Sequence, residues 1–166
     1  MKQSQQGFTF IELLLYISIV TVMLTAVIQF AWDVVGSGTK SSIEQEVFSQ
    51  ARFISERIKY EIRNSFGISS LPSQTQLILC TNSACSTTEA IDVGQGNVRL
   101  NQGLGLVTLN SLDTTISDFI FTNYSSSDNK TKQIGFSFTV SSTNTSARQE
   151  FNESLSIRSS AEVRSN

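Results

Sequence analysis

The 166-residue chain contains no histidine. That single absence removes Ser-His-Asp triads, Cys-His dyads, imidazole acid–base chemistry and nearly every histidine-ligated metal site. Proline is almost missing too, with Pro72 the only one, and charged residues make up just 16% of the chain. Twelve Lys and Arg against fourteen Asp and Glu leave a net charge of -2 with no basic run. A nucleic-acid binder would need a positive footprint for phosphates, so none is expected as a partner. The low charge does not signal disorder, because Phe alone supplies 11 residues. The length suits one domain of modest core. What is abundant is hydroxyl: Ser and Thr together account for 43 of the 166 residues.

Apolar residues are spent unevenly. Residues 13–32, LLLYISIVTVMLTAVIQFAW, hold no charge and are interrupted only by Ser18, Thr21, Thr25 and Gln29. Twenty residues of helix reach about 30 Å, the thickness of a bilayer's hydrocarbon core. A domain this small has little interior in which to bury a helix apolar on every side. The segment is therefore expected to span a membrane. Lys2 precedes it and Asp33 follows it, which keeps the short N-terminus cytoplasmic and exports the rest. A cleaved secretory signal fits poorly, since the stretch is too long and no A-x-A-like site follows.

Gly36-Ser37-Gly38 marks an expected soft point, after which a second helical pattern begins. Ile43, Val47, Ala51, Ile54, Ile58 and Ile62 step by four, four, three, four and four, one face of an amphipathic helix. Glu44, Glu46, Arg52, Glu56, Arg57, Lys59, Glu61 and Arg63 occupy the other face, read as solvated, with Arg52 to Glu56 and Arg57 to Glu61 as i,i+4 pairs. The helix is expected to reach about Ser65 and to end around Gly67. From Leu71 the period becomes two, with strand-like runs at 76–81, 90–93, 97–101, 104–109, 116–122, 133–141 and 149–157. Turn-rich clusters such as Gly94-Gln95-Gly96-Asn97 separate them. The fold class read from this order is α+β: a long N-terminal helix, membrane-spanning in its first half, whose amphipathic second half packs on a C-terminal antiparallel sheet.

The most specific feature is Gly7-Phe8-Thr9-Phe10-Ile11-Glu12, directly before the apolar span. A carboxylate at the head of a membrane helix is costly and marks a candidate functional residue that needs a partner, with an interfacial Glu lying among the headgroups as the alternative. The string GFTFIELLLYISIV resembles the class III leader junction of type IV pilins and type II secretion pseudopilins. In that family a short polar leader ends in Gly, Phe follows, and the fifth mature residue is Glu. The resemblance implies cleavage between Gly7 and Phe8 by the prepilin peptidase, N-methylation of the Phe8 amine, and a role in assembly for Phe8 and Glu12. It also implies a division into leader (1–7), transmembrane and assembly helix (8–35), amphipathic helix (36–66) and globular sheet region (67–166).

Its partners would be the peptidase, other pilin or pseudopilin subunits, the inner-membrane assembly platform and, before assembly, lipid. Its location would be the cytoplasmic membrane and then a pilus or pseudopilus. The helix around residues 50–63, followed by Leu77-Ile78-Leu79, is similar to W-type minor pilins and J-type pseudopilins. Glu12 favours a subunit inserted beneath others over a tip subunit. The junction also makes physical sense by itself. Loss of residues 1–7 removes Lys2 and frees an α-amine at Phe8, about 6 Å along the axis from Glu12. In hydrocarbon each charge gains by meeting the opposite one on a neighbouring subunit.

The sequence departs from the family in having no proline within the span and only one basic leader residue. Cys80 and Cys85 also lie early in the sheet region, whereas pilins often close a C-terminal loop. In an exported domain the pair reads as a short hairpin disulfide, with free thiols as the alternative. A closed zinc site would need ligands the chain lacks. No metal or other cofactor is expected. Asp113, Asp118 and Asp128 lack the spacing of a calcium loop, and the N-x-S/T patterns at Asn123, Asn129, Asn144 and Asn152 are what so hydroxyl-rich a chain gives by chance. An enzyme is not expected. A filament-borne adhesin or substrate-docking module, using the exposed sheet, is the alternative to a purely structural subunit.

Overall fold

A computed structural model of the chain describes residues 8–103, 105–128, 130–143 and 151–164. Gly7, Asn129, Asn144 and the start of the run expected at 149–157 lie outside them. The chain divides into two units, one ending at Lys40 and the next beginning at Ser41.

One helix, α1 (Phe10–Asn64), carries the apolar stretch of the first unit and enters the second. The expected soft point does not interrupt it. Glycine costs only about 1 kcal/mol per helical position, and proline, the residue that would break the backbone ladder, is absent here. Ser37 and Thr39 donate their hydroxyls to the carbonyls of Asp33 and Val35 inside the helix. Glu12 in the first turn and Arg63 in the last complement the helix dipole. At the C-terminal end the Ser65 hydroxyl donates to the Ile62 carbonyl at 2.8 Å, and the Phe66 N–H passes to Cys80 O at 2.9 Å. That bond delivers the chain into the first sheet.

In the second unit Val47, Ala51, Ile54, Ile58 and Ile62 are buried and Ile43 packs against them, the face that the four-and-three spacing marks out. The fold is α+β as expected, but the sheet region forms two antiparallel sheets rather than one. The first is a five-stranded meander in chain order: β1 (Gly67–Ser73), β2 (Gln76–Cys80), β3 (Thr88–Gly94), β4 (Asn97–Asn101) and β5 (Leu106–Thr108). The second comprises β6 (Thr114–Asn123), β7 (Gln133–Ser142) and β8 (Ser154–Glu162). Leu77, Leu79, Ile91, Val98 and Leu100 from the first join Ile116, Phe121, Ile134, Phe138 and Val140 from the second in one core with the helix. Full burial of each such side chain contributes about 1.5–3 kcal/mol, so this shared core holds the unit together.

β4 is already paired on both edges, with β3 and β5, so the two sheets stay separate and β6 opens the second. Among the described residues, single backbone bonds join them, from Ile116 N–H to Gly96 O at 2.9 Å and from Phe121 N–H to Gln74 O at 2.7 Å. Between those points a bulge at Asp118 (φ 51°) shifts the register between Ser117 and Ile120. The extra residue resets the alternation, so that Ile116, Phe119 and Phe121 all face inward. Phe119 then lies 4.7 Å from Phe121 and 5.4 Å from Phe138 between ring centroids.

Asn110, 8% exposed, fastens the seam. Its Oδ1 accepts from Val98 N–H at 3.1 Å, and its Nδ2 donates to Thr114 O at 2.9 Å. The β3–β4 connection is a two-residue turn with positive φ at both Gln95 (56°) and Gly96 (74°), the geometry a tight hairpin favours. A Cβ at Gly96 would meet the Thr115 hydroxyl at 2.3 Å, so glycine is required there on two counts.

Candidate functional site

The first candidate constellation is the head of α1. Thr9 O accepts from the N–H groups of Glu12 and Leu13 at 3.1 and 3.2 Å, which starts the helix immediately after Phe8. Phe8 and Phe10 are 73% and 77% exposed. The Phe8 ring meets Tyr16 edge-on at 5.9 Å between centroids, so the helix carries an aromatic collar around its first turns. Glu12 stands exposed among these apolar side chains, and its carboxylate has no hydrogen bond or ion pair among the described residues.

Beyond Glu12 the helix is uncharged, mainly apolar and exposed through Trp32. Its hydroxyls are satisfied internally: Ser18 donates to Leu14 O, Thr21 to Ile17 O and Thr25 to Thr21 O, each at 2.8 Å. This is how polar side chains are tolerated where no water is present. Among the described residues α1 is the one helix long and apolar enough to cross a membrane, and its most apolar window is wholly unburied. The geometry therefore brings Phe8 and Glu12 together at one end of an unpartnered apolar rod. Gly7, the third residue of the expected site, lies outside the described residues.

The second constellation is the loop after β2. Cys80 and Cys85 are bonded through their sulfurs with Cα atoms 4.8 Å apart. Cys85 adopts positive φ (52°), and its N–H donates to Asn82 O at 3.1 Å. Asn82 Oδ1 in turn accepts from Ser86 N–H at 2.9 Å, and Thr81 N–H donates to Thr87 O at 3.0 Å. The loop is thus held by main-chain bonds as well as by sulfur. Closing so short a ring stabilises a chain by about 2 kcal/mol through loss of unfolded-state entropy. A Cys80→Ser/Cys85→Ser variant is expected to fold with stability lower by that amount, measured by urea titration of the detergent-solubilised chain. Loss of all folded signal would show that the bridge, not the core, organises the sheet.

One residue read as solvated is covered, and one expected pair is exchanged for another. Arg57 Nη2 reaches Glu61 Oε1 at 2.6 Å, but Glu61 is only 5% exposed. Glu56 pairs with Lys59 at 3.1 Å, and not with Arg52. The sequence offered no signal for Glu61, because a glutamate beside an i–4 arginine looks the same on a wet or a covered face.

Among the described residues no three His, Cys, Asp or Glu side chains gather closely enough to hold a metal ion. Asp118 forms the β6 bulge. Asp128 lies on the β6–β7 connection, where its carboxylate accepts from the Ser126 hydroxyl and the Lys130 N–H, bonds that lower its pKa from the ordinary 3.8. On the outer face of the second sheet, Ile120, Thr122, Tyr124, Ser137 and Arg158 line an open groove of about 500 Å³. The Tyr124 ring lies over Gly135, where an added Cβ would meet it at 2.4 Å.

Residues 2–28 match the family model described as the prokaryotic N-terminal methylation motif, the class III prepilin leader, and the match supports a type IV pilin-like protein. No curated protein and no solved structure matches the chain.

Proposed function

We propose that this type IV pilin-like chain is a minor, structural subunit of a type IV pilus or a related secretion or competence pseudopilus, processed by the prepilin peptidase and inserted through its N-terminal helix. The observation that carries this reading is Glu12, a carboxylate with no hydrogen bond or ion pair among the described residues, four residues after Phe8 at the head of an exposed apolar helix. An isolated charge in that setting costs a few kcal/mol, and a subunit alone in the bilayer has nothing to relieve it.

Cleavage after Gly7 supplies the complement. It removes Lys2, releases a cationic amine at Phe8 and leaves each subunit with one positive and one negative group at nearly the same depth. An incoming subunit then pairs its amine with a neighbour's Glu12 carboxylate, which fixes an axial offset of about 6 Å between the two helices. The methyl group on the amine keeps the positive charge and adds apolar surface. Lipid surrounds the helix before assembly, and neighbouring helices replace lipid afterwards. The second unit is carried outside the membrane by this insertion, with its disulfide loop and groove on the exported side. The subunit's work is assembly and not catalysis.

The test is fractionation. Filaments sheared from cells that express the tagged full chain are expected to contain it, and cells lacking the prepilin peptidase are expected to retain it wholly in the membrane. Equal recovery from the sheared fraction of both strains would overturn the proposal.

A further inference from the structure

The hydroxyl residues that dominate the composition gather on the outer face of the second sheet. Cross-strand register sets Ile120, Ser137 and Arg158 in one row across β6, β7 and β8, and Thr122, Gly135 and Ser160 in the next. Both rows face away from the core, because Phe121, Phe136 and Phe138 take the alternate, buried positions.

A glycine inside a strand marks the close approach of another group, and here that group is Tyr124. A Cβ at Gly135 would meet the Tyr124 ring at 2.4 Å, so the ring covers the strand at this point. The Tyr124 N–H donates to Gln133 O at 2.9 Å, which fixes the residue just past the end of β6. Tyr124 is nevertheless 58% exposed, so one side of its ring rests on the glycine and the other meets solvent.

The groove of about 500 Å³ beside this ring has no acidic side chain among the described residues that line it. Arg158 is exposed there and forms no hydrogen bond or ion pair among the described residues. The Thr122 and Ser137 hydroxyls are unpaired among them too, whereas Thr139 and Ser156, one row further along, bond each other at 2.9 Å. An aromatic ring, two unspent hydroxyls and an unpaired guanidinium therefore share one open surface.

Each of these groups selects a ligand chemistry. The electron-rich face of a phenol attracts the weakly positive C–H groups of an apolar ring face laid on it. A guanidinium donates two parallel bonds to a carboxylate. Free hydroxyls exchange hydrogen bonds with other hydroxyls. We propose that the groove binds an acidic glycan, with a sugar ring stacked on Tyr124, a carboxylate on Arg158 and sugar hydroxyls on Thr122 and Ser137. Two positions along β7 span about 7 Å and one strand spacing about 5 Å, so one or two sugar residues bridge the ring and the guanidinium. Single-stranded nucleic acid also offers rings and anions, but it needs a track of cations. Among the described residues Arg158 is the one cation that lines the groove.

Binding here does not depend on Gly7, Phe8 or Glu12, so it can be measured apart from filament assembly. The test is a ligand-observed NMR titration of the full chain in detergent with tetragalacturonic acid, with sialyllactose and with neutral lactose. The wild type is expected to bind at least one of the acidic probes about tenfold more tightly than lactose. Arg158→Gln should keep the wild-type melting temperature, since Arg158 has no partner to lose, and should reduce acidic-probe affinity to that of lactose. Tyr124→Ala should weaken the acidic probes several-fold. Failure of both acidic probes to bind, equal affinity for lactose, or an Arg158→Gln chain that binds like the wild type would overturn the proposal. Tighter binding of a short oligothymidylate than of either acidic glycan would make the groove a nucleic-acid surface and overturn it as well.

Discussion

Gly7→Val is expected to leave the chain entirely as its longer precursor, held in the membrane and missing from sheared filaments. The bond between Gly7 and Phe8 must enter a peptidase at the membrane surface, and glycine lets the backbone approach closely because it has no Cβ. Valine adds a branched side chain next to the scissile carbonyl. The uncleaved chain also lacks the Phe8 amine, so at that depth it offers a neighbour's Glu12 no complementary charge. Two defects then follow from one substitution. Gel mobility reports the first, and the sheared fraction reports the second. A Gly7→Val chain of mature size would mean that cleavage occurs elsewhere.

Glu12→Ala separates those two steps. Glu12 lies five residues beyond Gly7, so the substituted chain still presents the same bond and should be cleaved. It is far from the second unit, whose core is built from residues after Ile43, so the exported unit should fold normally. What is lost is the partner for a neighbour's amine. An acidic residue in a membrane helix costs about 2.5–3.5 kcal/mol at the centre and less toward the interface, so pairing it contributes an amount of that order. At about 1.4 kcal/mol per factor of ten, incorporation should fall on the order of ten- to a hundredfold. Immunoblots of the sheared and membrane fractions give the ratio. A Glu12→Ala chain that is cleaved and incorporated at the wild-type level would remove charge pairing and leave apolar packing as the basis of assembly.

How far the residues announce the structure differs from element to element. The membrane stretch needs only length and the lack of charge, both of which can be counted, and the junction at Gly7-Phe8 is a local string. The sheet-facing side of α1 is written in the spacing of Ile43 through Ile62. In β7, Ile134, Phe136, Phe138 and Val140 alternate as a half-buried strand does.

Elsewhere the pattern fails for identifiable reasons. The first strand, Gly67–Ser73, has two register shifts, and Pro72 stands on the sheet edge, so neither alternation nor β propensity marks it. The last strand is described at Ser154–Glu162, overlapping the expected run only at 154–157 and running past it, because the inward positions Leu155, Ile157 and Ala161 are separated by serines that carry no directional signal. The seam between the two sheets runs through Asn110, and the Asp118 bulge turns Phe119 inward, a polar residue and an acid that look like ordinary loop and surface choices. Glu61 is the sharpest case: only the packing around it, with the Gln102 amide nitrogen 3.5 Å from its Oε1, distinguishes its covered site from a solvated one.

Intact-mass measurement of the chain extracted from membranes, with sequencing of its N-terminus, tests the central claim most directly. The account predicts a chain that starts at Phe8, lacks residues 1–7, carries one added methyl group on its amine and retains the bond between Cys80 and Cys85. A mature start beyond residue 25 would show an ordinary signal peptide, with Glu12 discarded before any filament could use it, and would contradict the account.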